Sequence, residues 1–188
     1  MDGDGALLQR ARKGDETAFS ELYARHHLSI FRYALYMGSR DLADDVVQET
    51  FLAVLQQSQH VDPPRSGVVA YLLGIARHVV LRRLQMPANM VSDGEAEWIA
   101  SGDASPLEEL TRAERIAAVR AAIRTLPAAY REAIVLCELH EMEYAAAAQI
   151  MQCPVGTVRS RLARARALLL RKVSEEPRWA NARTPKMR

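Results

Sequence analysis

The stretch YAAAAQIMQCPVGTVRSRLARARALLLRK, Tyr144 to Lys172, decides the architecture. Its alanine-rich start, Tyr144–Met151, has the composition of a short helix. The four-residue turn Gln152-Cys153-Pro154-Val155 and a long basic helix follow, which are the dimensions of a helix-turn-helix. Pro154 suits a first helical position, where its missing N–H would have no partner anyway. The small residues Ala145 to Ala148 let the first helix approach the second closely. Projected at about 100° per residue, Val158, Leu162, Ala165 and Leu169 share one stripe that must face a core. Ser160, Ala163, Arg164, Ala167 and Arg171 lie opposite, flanked by Arg159, Arg161 and Arg166. From Pro154 to Lys172 there are six basic side chains and no acidic one. A charge run is commonly a solvated face, and arginines complement a helix C-terminus. The absence of any acid departs from the mixed-sign surface of such helices. Small side chains that admit a groove wall, among guanidinium groups that reach bases and phosphates, describe a DNA-reading face.

Outward from this segment, residues 86–109 reverse the charge. They hold six acids, no Lys or Arg, and interruptions at Pro87, Gly94, Gly102 and Pro106, the composition of a linker. On both sides the apolar spacing is helical, with no sustained alternation. The expected fold is all-α: two small helical domains, 5–85 and 106–173, joined by an acidic linker, 86–105, and followed by a tail, 174–188. Helices are expected near Gly5–Lys13, Glu16–Met37, Asp41–Gln57, Val68–Gln85, Pro106–Thr125, Ala128–Met142, Tyr144–Met151 and Pro154–Lys172, with Asp41 capping the third. Of 188 residues, 49% are apolar, enough for a core in either half. The start, MDGDG, is acidic and unlike a secretory signal. The longest apolar run, Val68 to Ala76, is about half a membrane span. A cytoplasmic address without membrane insertion is expected. Cys137 and Cys153 are not closely paired and His140 is isolated, so they read as packing residues. His26 and His27 point to different helix faces and read as solvent-facing. No phosphate loop, nucleophile elbow or metalloprotease motif is present. No catalytic residue, metal or cofactor is expected.

Leu126-Pro127 with Tyr130-Arg131-Glu132-Ala133, then Cys153-Pro154-Val155-Gly156-Thr157-Val158-Arg159-Ser160-Arg161-Leu162 and Arg164-Ala165-Arg166, closely resembles region 4 of extracytoplasmic-function (ECF) sigma factors of the sigma-70 family. An independent block, Asp41-Leu42-Ala43-Asp44-Asp45-Val46-Val47-Gln48-Glu49-Thr50-Phe51, resembles region 2.2 of that family, and Gly14-Asp15 with Ala18-Phe19 and Leu22-Tyr23 resembles region 2.1. The likeness runs from about Leu7 to about Lys172, in the family's order. Departures fall at Tyr71, where a Trp is usual, at His78 for Asn, and at Arg82, where an acid is common. Ala145 to Ala148 replace a more polar pattern.

The resemblance implies a subunit that binds core RNA polymerase through its β′ and β subunits and directs promoter-specific initiation. It assigns core docking to Asp44, Asp45, Gln48 and Glu49, with Val47, Phe51 and Val54 holding the other side of that helix in the core. Without it, paired Asp residues read as a capped surface helix. Minus-ten recognition falls to Arg65, Ser66, Arg77, His78 and Arg82. Minus-thirty-five recognition falls to Arg159, Ser160, Ala163, Arg164, Arg166 and Arg171. The linker is expected to be extended and to thread a positive channel of the polymerase, its carboxylates standing in for RNA phosphates. An anti-sigma factor is an expected partner. A free-standing helix-turn-helix regulator is the alternative, and the acidic block Asp41–Leu55 discriminates, because such a regulator needs a dimer interface or effector pocket there instead.

Overall fold

The computed structural model describes residues 3–56, 67–85 and 112–174. Among these, every regular element is helical. The segment carrying Arg65 and Ser66, the expected linker 86–105, the start expected at Pro106 and the tail beyond 174 lie outside the described residues.

The first half contains α1 (Asp4–Arg12), α2 (Glu16–Met37), α3 (Arg40–Gln56) and α4 (Gly67–Arg83). Asp15 starts α2: its carboxylate accepts the Ala18 N–H at 3.0 Å and Arg10 Nε at 2.9 Å. The Ala18 bond first, and Arg10 second, hold its carboxyl below the ordinary range. Such an N-cap satisfies an N–H of the first turn that would otherwise have no partner within the helix. The cap of α3 is Ser39, whose Oγ accepts the Leu42 N–H at 3.3 Å; the expected capping residue, Asp41, lies in the first turn instead. Leu22, Ile30, Val46, Phe51, Leu72, Leu73 and Val80 fill the core, with Leu7 and Leu8 of α1 closing it. Arg12 reinforces that closure, donating to the Tyr71 hydroxyl at 2.6 Å. His26, expected in solvent, is buried beside Asp4, with Nε2 3.0 Å from a carboxylate oxygen; α1 folds over a helix face that its own sequence leaves polar.

The second half contains α5 (Arg112–Arg124), α6 (Ala128–Ile134), a π-helical turn (Val135–Leu139), α7 (Tyr144–Met151) and α8 (Val155–Ser174). The single helix expected over Ala128–Met142 is therefore interrupted. The His140 N–H reaches back to the Val135 carbonyl at 3.0 Å and the Met142 N–H to that of Leu136 at 3.1 Å. Glu141 then turns the chain with φ +52°, a left-handed conformation that stops a helix. The halves pack together: α4 lies against α7, and α2 against α5, α6 and the π-turn.

Candidate nucleic-acid and polymerase interfaces

The helix-turn-helix forms as expected, one residue displaced. Gln152 ends α7 in the left-handed region with φ +52°, which costs a non-glycine residue about 1–2 kcal/mol. The return is a Cys153 N–H bond to the Ala148 carbonyl at 3.1 Å. The Pro154 carbonyl accepts the Thr157 and Val158 N–H groups at 2.9 and 3.2 Å, so Pro154 is the residue before the first helical position and not that position itself. Along α8, Val158, Leu162 and Ala165 are buried, while Ser160, Ala163, Arg164, Ala167 and Arg171 are exposed. Arg159 lies 5.8 Å from the Tyr144 ring centroid. Arg164 Nη1 is 3.4 Å from the Tyr130 hydroxyl, and Arg166 pairs with Glu138. Arg161, expected on the flank, is 5% exposed and turns inward toward Cys153.

The acidic helix α3 exposes Asp44, Asp45 and Gln48 and half-buries Glu49, while Val47, Phe51 and Val54 are buried beneath. Glu49 pairs with both Arg82 and Arg83, and Asp45 lies 3.4 Å from Arg83. The side chain assigned to the polymerase and the one assigned to minus-ten DNA are thus each other's partners. An open groove of about 450 Å³ runs beside Asp44 and Gln48, walled by Phe19, Tyr23, His27, Phe31, Phe51 and Leu52. Tyr23 and His27 stack at 5.0 Å with planes 3° apart, and Tyr23 lies 4.8 Å from Phe51. These groove residues were not legible as a site, although Phe19, Tyr23 and His27 recur every four residues along one helix.

On α4, His78 and Arg82 are exposed, and His78 Nε2 is 3.4 Å from Gln152 Nε2. Arg77, expected on the same surface, is 2% exposed. Its Nε donates to Glu132 Oε1 at 2.8 Å, and the Tyr33 hydroxyl donates to the same oxygen at 2.8 Å. Burial, then the Glu132 charge, pushes the Tyr33 hydroxyl well above its ordinary range. Burial also raises the Cys137 thiol to about 11 and lowers His140, which Arg32 faces, to about 4. A protonated, half-buried thiol is unreactive. Among the described residues no His, Cys, Asp or Glu cluster could hold a metal, and no helix is long and apolar enough to cross a membrane.

Sigma-70 region 2 matches residues 22–86 and sigma-70 region 4 matches residues 116–169. The chain is 35% identical over 170 residues to the ECF RNA polymerase sigma factor SigC of Mycobacterium tuberculosis, covering 88% of each. It is 36% identical over 185 residues to the ECF RNA polymerase sigma-E factor of Escherichia coli, covering 90% of this chain and 94% of that one. Among solved structures it is similar to CnrH in complex with the cytosolic domain of CnrY, with TM-score 0.65 and 27% identity over 90% of this chain and 96% of CnrH. It is also similar to the sigma factor RpoE of Bartonella quintana in complex with the anti-sigma factor NepR, with TM-score 0.63 and 25% identity over 84% and 98%. With both regions present in order and relatives matched over most of their length, the chain belongs to the extracytoplasmic-function sigma factors of the sigma-70 family.

Proposed function

We propose that this sigma factor is a dissociable, non-catalytic initiation subunit that works in the cytoplasm. Residues 5–85 dock on core RNA polymerase and engage the minus-ten element, residues 106–173 read the minus-thirty-five element, and the acidic segment 86–105 spans the polymerase between them. The observation that carries this reading is α8, which presents Ser160, Ala163, Arg164 and Arg171 opposite a fully buried Val158–Leu162–Ala165 stripe. In a major groove the small residues admit close approach, Arg159 and Arg164 reach base edges, and Arg166 and Arg171 meet phosphates.

Docking uses the α2–α3 face. Asp44, Asp45, Gln48 and Glu49 offer carboxylate and amide oxygens to basic side chains of a polymerase coiled coil, and the neighbouring aromatic groove supplies apolar area for its helices. Arg65, Ser66, His78 and Arg82 meet the separated minus-ten strand, with phosphate contacts from Arg65 and Arg82; Arg77, held inside the molecule by Glu132, stays off that surface. An anti-sigma factor restrains the protein, as the solved complexes of CnrH and RpoE suggest by analogy.

The test is copurification with core polymerase followed by run-off transcription on a promoter library. A reconstituted holoenzyme that initiates only where both elements are present supports the reading. Sequence-specific DNA binding with no affinity for core polymerase would instead identify a free-standing regulator.

A further inference from the structure

Projected along its own axis, the exposed arc of α8 has two edges and a floor. Arg159 and Arg166 lie seven residues apart on one edge, Arg164 and Arg171 seven apart on the other, and the small residues Ser160, Ala163 and Ala167 run between them; all are exposed. The first edge is held by two side chains from outside the helix that neither the charge pattern nor the helical projection singles out. Tyr144, at the start of α7 and 36% exposed, has the Arg159 guanidinium 5.8 Å from its ring centroid, within the ~6 Å reach of a cation–π contact. Glu138 accepts Arg166 Nε at 3.1 Å and pairs with its Nη2 as well. It lies in the π-helical turn, a geometry found mostly at functional sites. Glu138 first, and the Tyr144 hydroxyl after it, raise the Arg166 guanidinium above its ordinary range. One tyrosine thus spans both arginines of the edge, its ring toward Arg159 and its hydroxyl toward Arg166.

The two contacts act differently on DNA. A recognition helix meets base edges with its N-terminal residues, which puts Arg159 near the bases. Arg166 stands about 10 Å further along the axis, at ~1.5 Å per residue, near the backbone. An arginine already seated on a ring loses less rotamer freedom when it binds, and a guanidinium fixed in orientation suits a bidentate contact to guanine. Arg166 faces a competition instead. A phosphate gains it only by displacing Glu138, whose charge then stands against the negative backbone. Displacement demands close seating, which a matched groove permits and an unmatched duplex, held through its phosphates alone, does not.

We propose that Tyr144 and Glu138 are positioning residues for promoter discrimination: Tyr144 aligns Arg159 for a base edge, and Glu138 withholds Arg166 from the phosphates of DNA that does not seat closely. The proposal rests on the reading of α8 as the minus-thirty-five helix.

Fluorescence anisotropy of the full-length protein tests this at several salt concentrations on two duplexes, one carrying a minus-thirty-five element selected from the promoter library and one its scrambled sequence. Glu138→Gln keeps an oxygen acceptor and removes the charge. It should bind the scrambled duplex several-fold more tightly, with a salt slope steeper by about 0.9 for one more phosphate neutralised. Its slope on the matched duplex should stay as in the wild type, so discrimination narrows. Tyr144→Leu should bind the matched duplex several-fold more weakly and lose preference at one base pair, with the scrambled duplex unaffected. Tyr144→Phe keeps the ring and should retain that preference. Tyr144→Met takes the place of Tyr144→Leu if the latter does not fold. Parallel weakening on both duplexes, an unchanged slope on the scrambled duplex for Glu138→Gln, or wild-type base preference in Tyr144→Leu overturns the role of the residue concerned. A wild type that binds both duplexes alike overturns the proposed DNA reading, and this assignment with it; a discriminating wild type matched by its variants overturns the assignment alone.

Discussion

Helices α4 and α8 both carry arginines assigned to DNA, but they deploy them differently. On α8 the guanidinium groups of Arg159 and Arg164 lie beside the aromatic side chains Tyr144 and Tyr130, and Arg166 is bonded to the Glu138 carboxylate. On α4, Arg77 pairs with Glu132, Arg82 with Glu49, and Arg83 with Glu49 and Asp45. On α8, Arg159, Arg164 and Arg171 stand on an exposed face; on α4, Arg77, Arg82 and Arg83 each meet a carboxylate of another helix. A count of basic residues does not define a nucleic-acid surface. What matters is whether an incoming phosphate must displace a carboxylate.

The largest expected effect separates the two sides of α8. Leu162→Ala, at a position 2% exposed, should cost about 2–5 kcal/mol of folding stability, read by chemical denaturation. Arg164→Ala, two positions on and outward, should leave stability nearly unchanged. It should cost roughly 1–3 kcal/mol in binding to a minus-thirty-five duplex and relax preference at one base pair. If Arg164→Ala destabilises the fold and leaves specificity intact, the outward side of the comparison collapses.

The same contrast predicts smaller effects elsewhere. Asp45→Lys should weaken core binding measured at moderate salt while the protein stays folded, since it breaks only a rim contact with Arg83; unchanged core affinity would remove Asp45 from the interface. Arg171→Ala should weaken all duplex sequences about equally and lower the salt-dependence slope by about 0.9; an unchanged slope would place Arg171 in solvent in the complex. Arg82→Ala breaks an exposed pair with Glu49 and should change stability by less than about 1 kcal/mol. A larger loss would mean that the α3–α4 bridges hold the fold rather than mask charge.

Legibility in the sequence followed the range of the interaction. The stripe Val158–Leu162–Ala165–Leu169 is a local period, and the structure buries its first three members as projected while leaving Leu169 half-buried. The bounds of α2 and α7 were read as found. Misreadings begin where a residue is decided by something distant. Arg161 follows the charge pattern of its neighbours but turns inward toward Cys153. His26 looked solvated until α1 folded across it. Ser39 and Asp41 are both good caps by composition, and only the backbone path chooses Ser39. Arg77 and Glu132 stand 55 positions apart, so no periodicity on either helix could show that each is the other's partner. The π-turn likewise depends on bonds reaching back five and six residues, outside the period of an ordinary helix.

The carbonyl end of α2 gathers two like charges. Burial, and then the nearby Arg124, holds the Arg131 guanidinium below its ordinary pKa, so these arginines repel each other while both serve the same helix terminus. That terminus is followed by Gly38 and then Ser39, the residue whose side chain begins α3. The helix proposed to dock on polymerase therefore starts at a corner whose preceding turn is completed by the opposite half of the molecule. Any ligand that favours one arrangement of this corner must, to the same degree, favour the bonds that Arg124 and Arg131 make to it, since linkage runs both ways.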